Sequence, residues 1–270
     1  MKRIIIRALP FAALFTGIFL LLYPTVSEHI NALHQSRAIQ VYNDIADSMS
    51  TEQRDRLIEA ANDYNRELAK AEKPILHPES VSGYDSTLNI TKTGIMGYLT
   101  IDKIKVELPI YHSVDDDVLQ IAVGHLPGTS LPVGGKGTHS VMSGHRGLPS
   151  ARLFTDLDRL EEGDIFRITI MSEVLTYQVD QIKTVKPYEI DDLAVNPNQD
   201  YCTLFTCTPY GINSHRLLVR GVRVETKEEY KVYVSNDALF VSPYIVATII
   251  AAPILLVLLI LLMVKGRKKK

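Results

Sequence analysis

The sequence predicts a mainly β protein, closed or nearly closed into a barrel, with helices ahead of it and an apolar segment at each end. Three observations carry this prediction. About eight short strand-like runs crowd into roughly 140 residues after Gly94. A helical period runs from Glu28 to about Ala71. Two uncharged stretches, Ala8 to Ser27 and Ala238 to Val264, reach the ~20 residues needed to cross a bilayer. No stretch repeats another, and no phosphate-binding glycine loop follows a strand.

The ends explain the charge. The 270 residues carry 29 basic and 31 acidic side chains, a net of −2. Eight of the positive charges sit at the termini (Lys2, Arg3, Arg7, Lys265, Arg267 and Lys268 to Lys270), with no acidic side chain beside them. What lies between the apolar runs is therefore net negative by about 10. The positive-inside rule puts both basic ends in the cytoplasm and the acidic middle outside the cell. Residues 1–27 read as either an uncleaved anchor or a signal segment, and the basic start fits both. Residues 238–264 read as a transmembrane helix, since Pro253 is tolerable there, and 265–270 as a basic cytoplasmic tail. A near-neutral total argues against general nucleic-acid binding. With 46% hydrophobic and 22% charged residues, the chain is neither disordered nor polytopic.

Residues 28–71 form the helical N-terminal region. Ile30, Leu33, Val41, Ile45 and Met49 keep near-helical spacing, and Leu57, Ile58, Ala61, Tyr64 and Leu68 resume it. Ser50 with Gln53 three residues on is a capping-box start for a second helix. Residues 72–93, rich in Pro, Ser, Gly and Asp, read as an exposed loop. The barrel domain spans 94–236, with candidate strands at 95–101, 105–111, 139–143, 165–170, 174–185, 201–207, 216–224 and 229–234. Leu175, Tyr177 and Val179 alternate with Thr176, Gln178 and Asp180, as a half-buried strand requires. Ser150 to Leu160 reads as the one clear helix inside this region.

Two cysteines exclude a disulfide framework and any multi-cysteine zinc module. Cys202 and Cys207 would lie about 17 Å apart on one strand, too far to bridge, and Cys202 reads as a small core hydrophobe. Cys207 ends a strand, in Thr206-Cys207-Thr208-Pro209. A hairpin back to Arg216 puts a guanidinium beside it, a setting that lowers a thiol pKa. A structural cysteine is the usual reading of an isolated Cys, but flanking threonines and a following turn argue against a plain core role. A nucleophilic cysteine needs an acid/base partner, and eight histidines compete. His29, His34 and His77 lie on the helix or loop, while His112, His125 and His139 border strands without distinguishing context. His215 belongs to the hairpin. His145 stands at a glycine-flanked strand end, Ser143-Gly144-His145-Arg146-Gly147, where catalytic groups often sit. Spacing favours it and leaves the others open.

These segments resemble the sortase family. Thr203-Leu204-Phe205-Thr206-Cys207, followed nine residues later by Arg216, matches the signature TLxTC with a downstream arginine. Residues 138–147 match the family's histidine region. Gly94-Ile95-Met96-Gly97-Tyr98, Leu108-Pro109-Ile110-Tyr111-His112, residues 124–132 and Leu153-Phe154-Thr155-Asp156-Leu157 are similar to the class C, pilus-assembling sortases of Gram-positive bacteria. So is the layout of two membrane segments around one domain.

The resemblance implies an eight-stranded sortase barrel that works as a cysteine transpeptidase without metal or other cofactor. Cys207 would attack the Thr–Gly bond of an LPXTG-like sorting signal, with His145 as acid and then base, and Arg216 orienting the substrate. Thr206 and Thr208 would contact substrate or oxyanion, the Thr208 backbone N–H being the candidate donor. The implied partners are pilin subunits with sorting signals and acceptor lysines, and the cell membrane. A housekeeping sortase acting on a cell-wall precursor and a non-catalytic assembly scaffold are the alternatives. One departure stands out. Class C sortases usually carry an Asp-Pro-aromatic lid motif, and in the corresponding segment Leu76 to Asp85 the Pro-centred triplet is His77-Pro78-Glu79. This predicts a short or absent lid and an open site, with Tyr84 or Asp85 as substitutes otherwise.

Overall fold

Residues 2–227 of the computed structural model are described here, with side chains from Leu14 onward. The strand candidate 229–234 and the apolar run 238–264 lie outside the described residues. Helix α1 runs Lys2–Ser48 and α2 runs Thr51–Leu68. The part of α1 up to Ile30 is a unit separate from the domain that begins at Asn31. Among the described residues, no helix is long and apolar enough to cross a membrane.

The break between the helices is chemical. The Ser50 hydroxyl accepts from the Gln53 N–H at 3.3 Å, and the Gln53 side chain accepts from the Ser50 N–H at 2.9 Å, completing the capping box. Both helices are then fixed on the barrel by buried polar groups. The Tyr42 hydroxyl donates to the Met96 carbonyl and accepts from the Met171 N–H, each at 2.9 Å. The Asn65 amide clasps Leu131, accepting from its N–H at 2.7 Å and donating to its carbonyl at 3.1 Å. Each pair satisfies backbone groups that burial would otherwise leave unpaired.

The barrel is closed and has eight strands: β1 Ile95–Ile101, β2 Val106–His112, β3 Val123–His125, β4 Thr138–Ser143, β5 Ile165–Ile170, β6 Glu173–Val185, β7 Asp200–Thr208 and β8 His215–Val224. Their order around it is β1-β2-β3-β4-β7-β8-β6-β5, with β5 pairing back onto β1. Strands β4 and β7 run parallel, and β7 and β8 form an antiparallel hairpin. Its interior holds Leu99, Ile110, Met142, Phe154, Phe166, Tyr177 and Leu204, all essentially inaccessible. A small helix α3, Asp116–Leu119, follows β2.

Two differences from the sequence reading have physical causes. Strand β3 has three residues, too few to show an alternation, and it exists because β2 and β4 pair with it on either side. The predicted helix over 150–160 is instead a chain of turns with one 3-10 turn at Leu157–Arg159. Ala151, Leu153, Phe154, Leu157 and Leu160 are all buried in the main hydrophobic cluster. Leu153 adopts a positive φ of 38°, which no α-helix accommodates, and the Phe154 N–H donates to the His145 carbonyl at 3.1 Å.

Candidate active site

Strand register assembles the site. On β7, Cys202, Leu204 and Thr206 point into the barrel, so Phe205 and Cys207 point outward. Cys207 stands directly opposite Arg216 on β8. On the other side, Ser143 of β4 pairs with Phe205, and the Gly144 N–H donates to the Phe205 carbonyl at 3.1 Å. Extended by two residues past its last pair, this parallel register brings His145 level with Cys207. Cys207 and Arg216 thus pair across β7 and β8 on the outer face, and His145 follows two residues after the end of the neighbouring β4.

The neighbours of Cys207 and His145 bind one another. The Thr206 hydroxyl donates to the Gly144 carbonyl at 2.7 Å on the buried side. The Arg146 guanidinium donates to the Thr208 hydroxyl at 3.0 Å on the other. Residues 206 and 208, which flank the cysteine, are tied to residues 144 and 146, which flank the histidine. The Thr206 side chain therefore has a different part from the substrate contact expected of it, while the oxyanion donor expected of Thr208 is its backbone N–H. Thr206 is 1% exposed and faces the core, and the Thr208 hydroxyl is occupied by Arg146. Gly144 is required for close approach, because a Cβ there would stand 2.7 Å from the Phe154 ring.

His145 is partly exposed. Its Nε2 has no hydrogen-bond partner among the described residues and stands 3.6 Å from Asp116 Oδ1, at the start of α3. Arg216 spends one nitrogen on its own hairpin, donating to the carbonyls of Asn213 and His215 at 3.1 and 3.0 Å. The turn is held by the Ile212 and Asn213 N–H groups on the Pro209 carbonyl, and its Thr208-Pro209 bond is cis.

The remaining histidines have other employment. His125 is fully buried: its Nε2 donates to the Ser130 carbonyl at 2.8 Å, leaving Nδ1 to accept from the Tyr84 hydroxyl at 2.9 Å. Burial holds its pKa down at about 4. His139 bridges the Ala194 carbonyl and the Thr203 hydroxyl, and burial lowers its pKa too. His112 packs between the carbonyls of Gly94 and Thr87. His215 pairs with the Ser214 hydroxyl at 2.9 Å. Both cysteines are free. Cys202 is fully buried, and desolvation raises its thiol pKa well above the usual range, so it stays protonated and inert.

The loop at the lid position divides into three parts. Ile75 packs, as Leu126 and Phe205 do, on the cluster of Val141, Val185, Leu193 and Leu218. His77 and Glu79 are exposed and stand 3.6 Å from each other, with Pro78 opening a 3-10 turn. Tyr84 lies against His112 and His125 and also accepts from the Ser113 N–H at 3.2 Å, so it anchors the loop beside β2 and β3. The sequence reading singled out none of Ile75, Asp116 and Arg146. Arg146 adjoins His145 in sequence, a signal that was there to use; Ile75 and Asp116 reach the site through tertiary folding alone.

What the arrangement can do chemically is acyl transfer: a partly exposed thiol, a guanidinium opposite it, and an imidazole just past the end of the neighbouring strand. Among the described residues, no group of His, Cys, Asp and Glu could hold a metal ion. Comparisons point the same way. Residues 99–224 match the family model of the sortase domain. Sortase D of Bacillus subtilis is 28% identical over 181 residues, 63% of this chain and 88% of that protein. The crystal structure of sortase C1 from Streptococcus agalactiae is 49% identical, covers 71% of this chain and 100% of that chain, and superposes with a TM-score of 0.66. Sortase C of Streptococcus pneumoniae is 40% identical, covering 70% and 97%, with a TM-score of 0.63. Clostridium perfringens sortase C, solved with the C-terminal cell wall sorting motif, is 44% identical, covering 70% and 99%, with a TM-score of 0.62.

Proposed function

The chain belongs to the sortase family of cysteine transpeptidases, with class C sortases among its relatives, and from that premise we propose that it polymerises pilin subunits on the outer face of a cell membrane. The carrying observation is Cys207 paired with Arg216 across β7 and β8, with His145 two residues beyond the end of the adjacent β4. In this reading the Cys207 sulfur attacks the threonine carbonyl of an LPXTG-like sorting signal. The S–C bond forms and the Thr–Gly C–N bond breaks, leaving a thioester on the enzyme. His145 passes its proton to the departing glycine amine, then takes one from the incoming lysine amine as that nitrogen displaces the sulfur. Arg216, with one nitrogen tied to its turn, has its other donors to offer the substrate, and the Thr208 N–H is placed next to the reacting carbon as an oxyanion donor. Support for the substrate class comes from the C. perfringens relative, solved with a cell wall sorting motif. The crystal structure of the pneumococcal relative bears on pilin substrate specificity, which supports a pilin as the partner.

Membrane attachment is part of the proposal. It is supported by the uncharged runs Ala8 to Ser27 and Ala238 to Val264 with their basic flanks. Leu14, Phe15, Phe19, Leu20, Leu21 and Tyr23 also leave large apolar side chains exposed along the first part of α1. Mass spectrometry of the full chain incubated with a sorting peptide tests the chemistry. The expected result is an acyl adduct on Cys207 that moves to a lysine-bearing pilin on addition of the acceptor. A Cys207→Ala chain that still joined pilins would overturn it, and transfer to a cell-wall amine instead of pilin would move the enzyme to a housekeeping role.

A further inference from the structure

Arg146 is a charged side chain only 8% exposed. Its Nη1 donates to Thr208 Oγ1 at 3.0 Å and its Nη2 to Asp158 Oδ2 at 2.5 Å, while its buried Nε has no hydrogen-bond partner among the described residues. Burying a guanidinium with one donor unanswered costs free energy. Packing alone would be served more cheaply by an apolar side chain, so what the arginine holds is the informative point. It grips the residue after the nucleophile from the residue after the histidine, with Asp158 fixing its far end. We propose that Arg146, braced by Asp158, is the positioning residue that sets the spacing between Cys207 and His145. This rests on the acyl-transfer reading above.

Geometry gives the reason. The Thr206–Gly144 hydrogen bond ties β7 to the histidine loop on the inner face only. Beyond Phe205, whose carbonyl accepts from the Gly144 N–H, the end of β7 is otherwise held from the β8 side, so a shift of that end relative to the histidine loop carries the Cys207 sulfur and the Thr208 N–H with it. The Arg146 bond closes the outer side, so the residues on both flanks of Cys207 are fixed to those on both flanks of His145. A planar fork with several donors can reach Thr208 and Asp158 at once. A lysine ammonium is a point charge on a flexible stem and cannot hold both in one geometry.

The experiment compares the full chain with R146K, T208V and the double variant, reading acylation kcat and KM with a sorting peptide alongside the thermal midpoint. Loss of alignment at the reacting centre is expected to lower kcat about tenfold or more, with KM changed by less than about twofold. The double variant should be no slower than the slower single one, because the same tie is lost once. Either single variant acylating at the wild-type rate overturns the positioning role, and so do losses that multiply in the double variant. If R146K fails to fold, T208V decides by itself, since it removes only the acceptor oxygen. A wild-type chain that takes no acyl group from the peptide overturns the transpeptidase reading beneath, a result distinct from active wild type with equally active variants.

Discussion

The Thr206 hydroxyl donates a 2.7 Å hydrogen bond to the carbonyl of Gly144, joining the residue before the nucleophile to the residue before the histidine. Thr206 is 1% exposed, so neither group has water as a substitute partner. Replacing Thr206 with valine keeps the shape and deletes the donor. The Gly144 carbonyl then stays buried without that bond, at a cost of about 1–3 kcal/mol. Thermal denaturation of T206V should show a lower midpoint, and acylation of Cys207 should slow beyond what the folded fraction explains. A T206V chain with wild-type midpoint and rate would mean the hydroxyl matters to neither.

Gly144 meets the flat face of Phe154. A Cβ at this position would stand 2.7 Å from ring carbon Cδ2 and 3.0 Å from two more. The ring is fully buried, so it has little room to retreat. Gly144→Ala should cost about 1–3 kcal/mol as overpacking and displace His145, the next residue. Shrinking the neighbour is the check: the pair Gly144→Ala with Phe154→Leu should recover part of the midpoint lost by the first change. A double variant less stable by the full sum of both losses would show that the ring contact is not the cause.

Local chemistry was legible in the chain, and long-range geometry was not. Ser50 and Gln53 declared their capping box because both partners lie within four residues. The hairpin that sets Arg216 opposite Cys207 could be read from a strand, a Pro/Gly/Asn turn and a second strand. His145 gained its place from a parallel pairing of β4 with β7, whose strands are some sixty residues apart in sequence. No local period reports such a pairing, so the residues alone left eight histidines in contention. The helix expected over 150–160 failed for the opposite reason. Its residues have helical spacing, yet the chain turns at Leu153, whose φ is positive, so the buried run is not helical.

His125 makes the fold acid-sensitive. Burial in the barrel wall holds its pKa at about 4, below the 6.5 of an exposed imidazole, and His139 is shifted the same way by the same cause. The folded state keeps His125 neutral while the unfolded chain takes up a proton as pH falls below about 6.5. Its contribution is therefore complete above that pH and is lost progressively down to about 4, for a total near 3 kcal/mol to order of magnitude. Thermal midpoints measured between pH 7 and 4 should fall with acid. Asparagine at position 125 should flatten that fall, leaving the smaller part due to His139. An unchanged slope in His125→Asn would place the acid sensitivity elsewhere.

Ile75 bears on access to the thiol. It packs on the cluster that holds Val141 and Leu218, with Phe205 beside it in the same cluster, a few positions from the site residues on β4, β8 and β7. In the proposed reaction an extended peptide with its reacting carbonyl at Cys207 runs along this face, over the cluster on which Ile75 packs. Cys207 is partly exposed, and Glu79, the residue after Pro78, carries no ring to close over it. Two reagents should therefore respond differently. A small thiol reagent should label Cys207 at similar rates with and without Ile75, since it needs no groove. Peptide acylation should speed up when Ile75→Ser loosens the loop. A part-buried isoleucine contact worth about 1 kcal/mol corresponds to about a fivefold gain in kcat/KM. If the serine variant accelerated labelling and acylation equally, the loop would be shielding the sulfur itself, and the groove would not be what it covers.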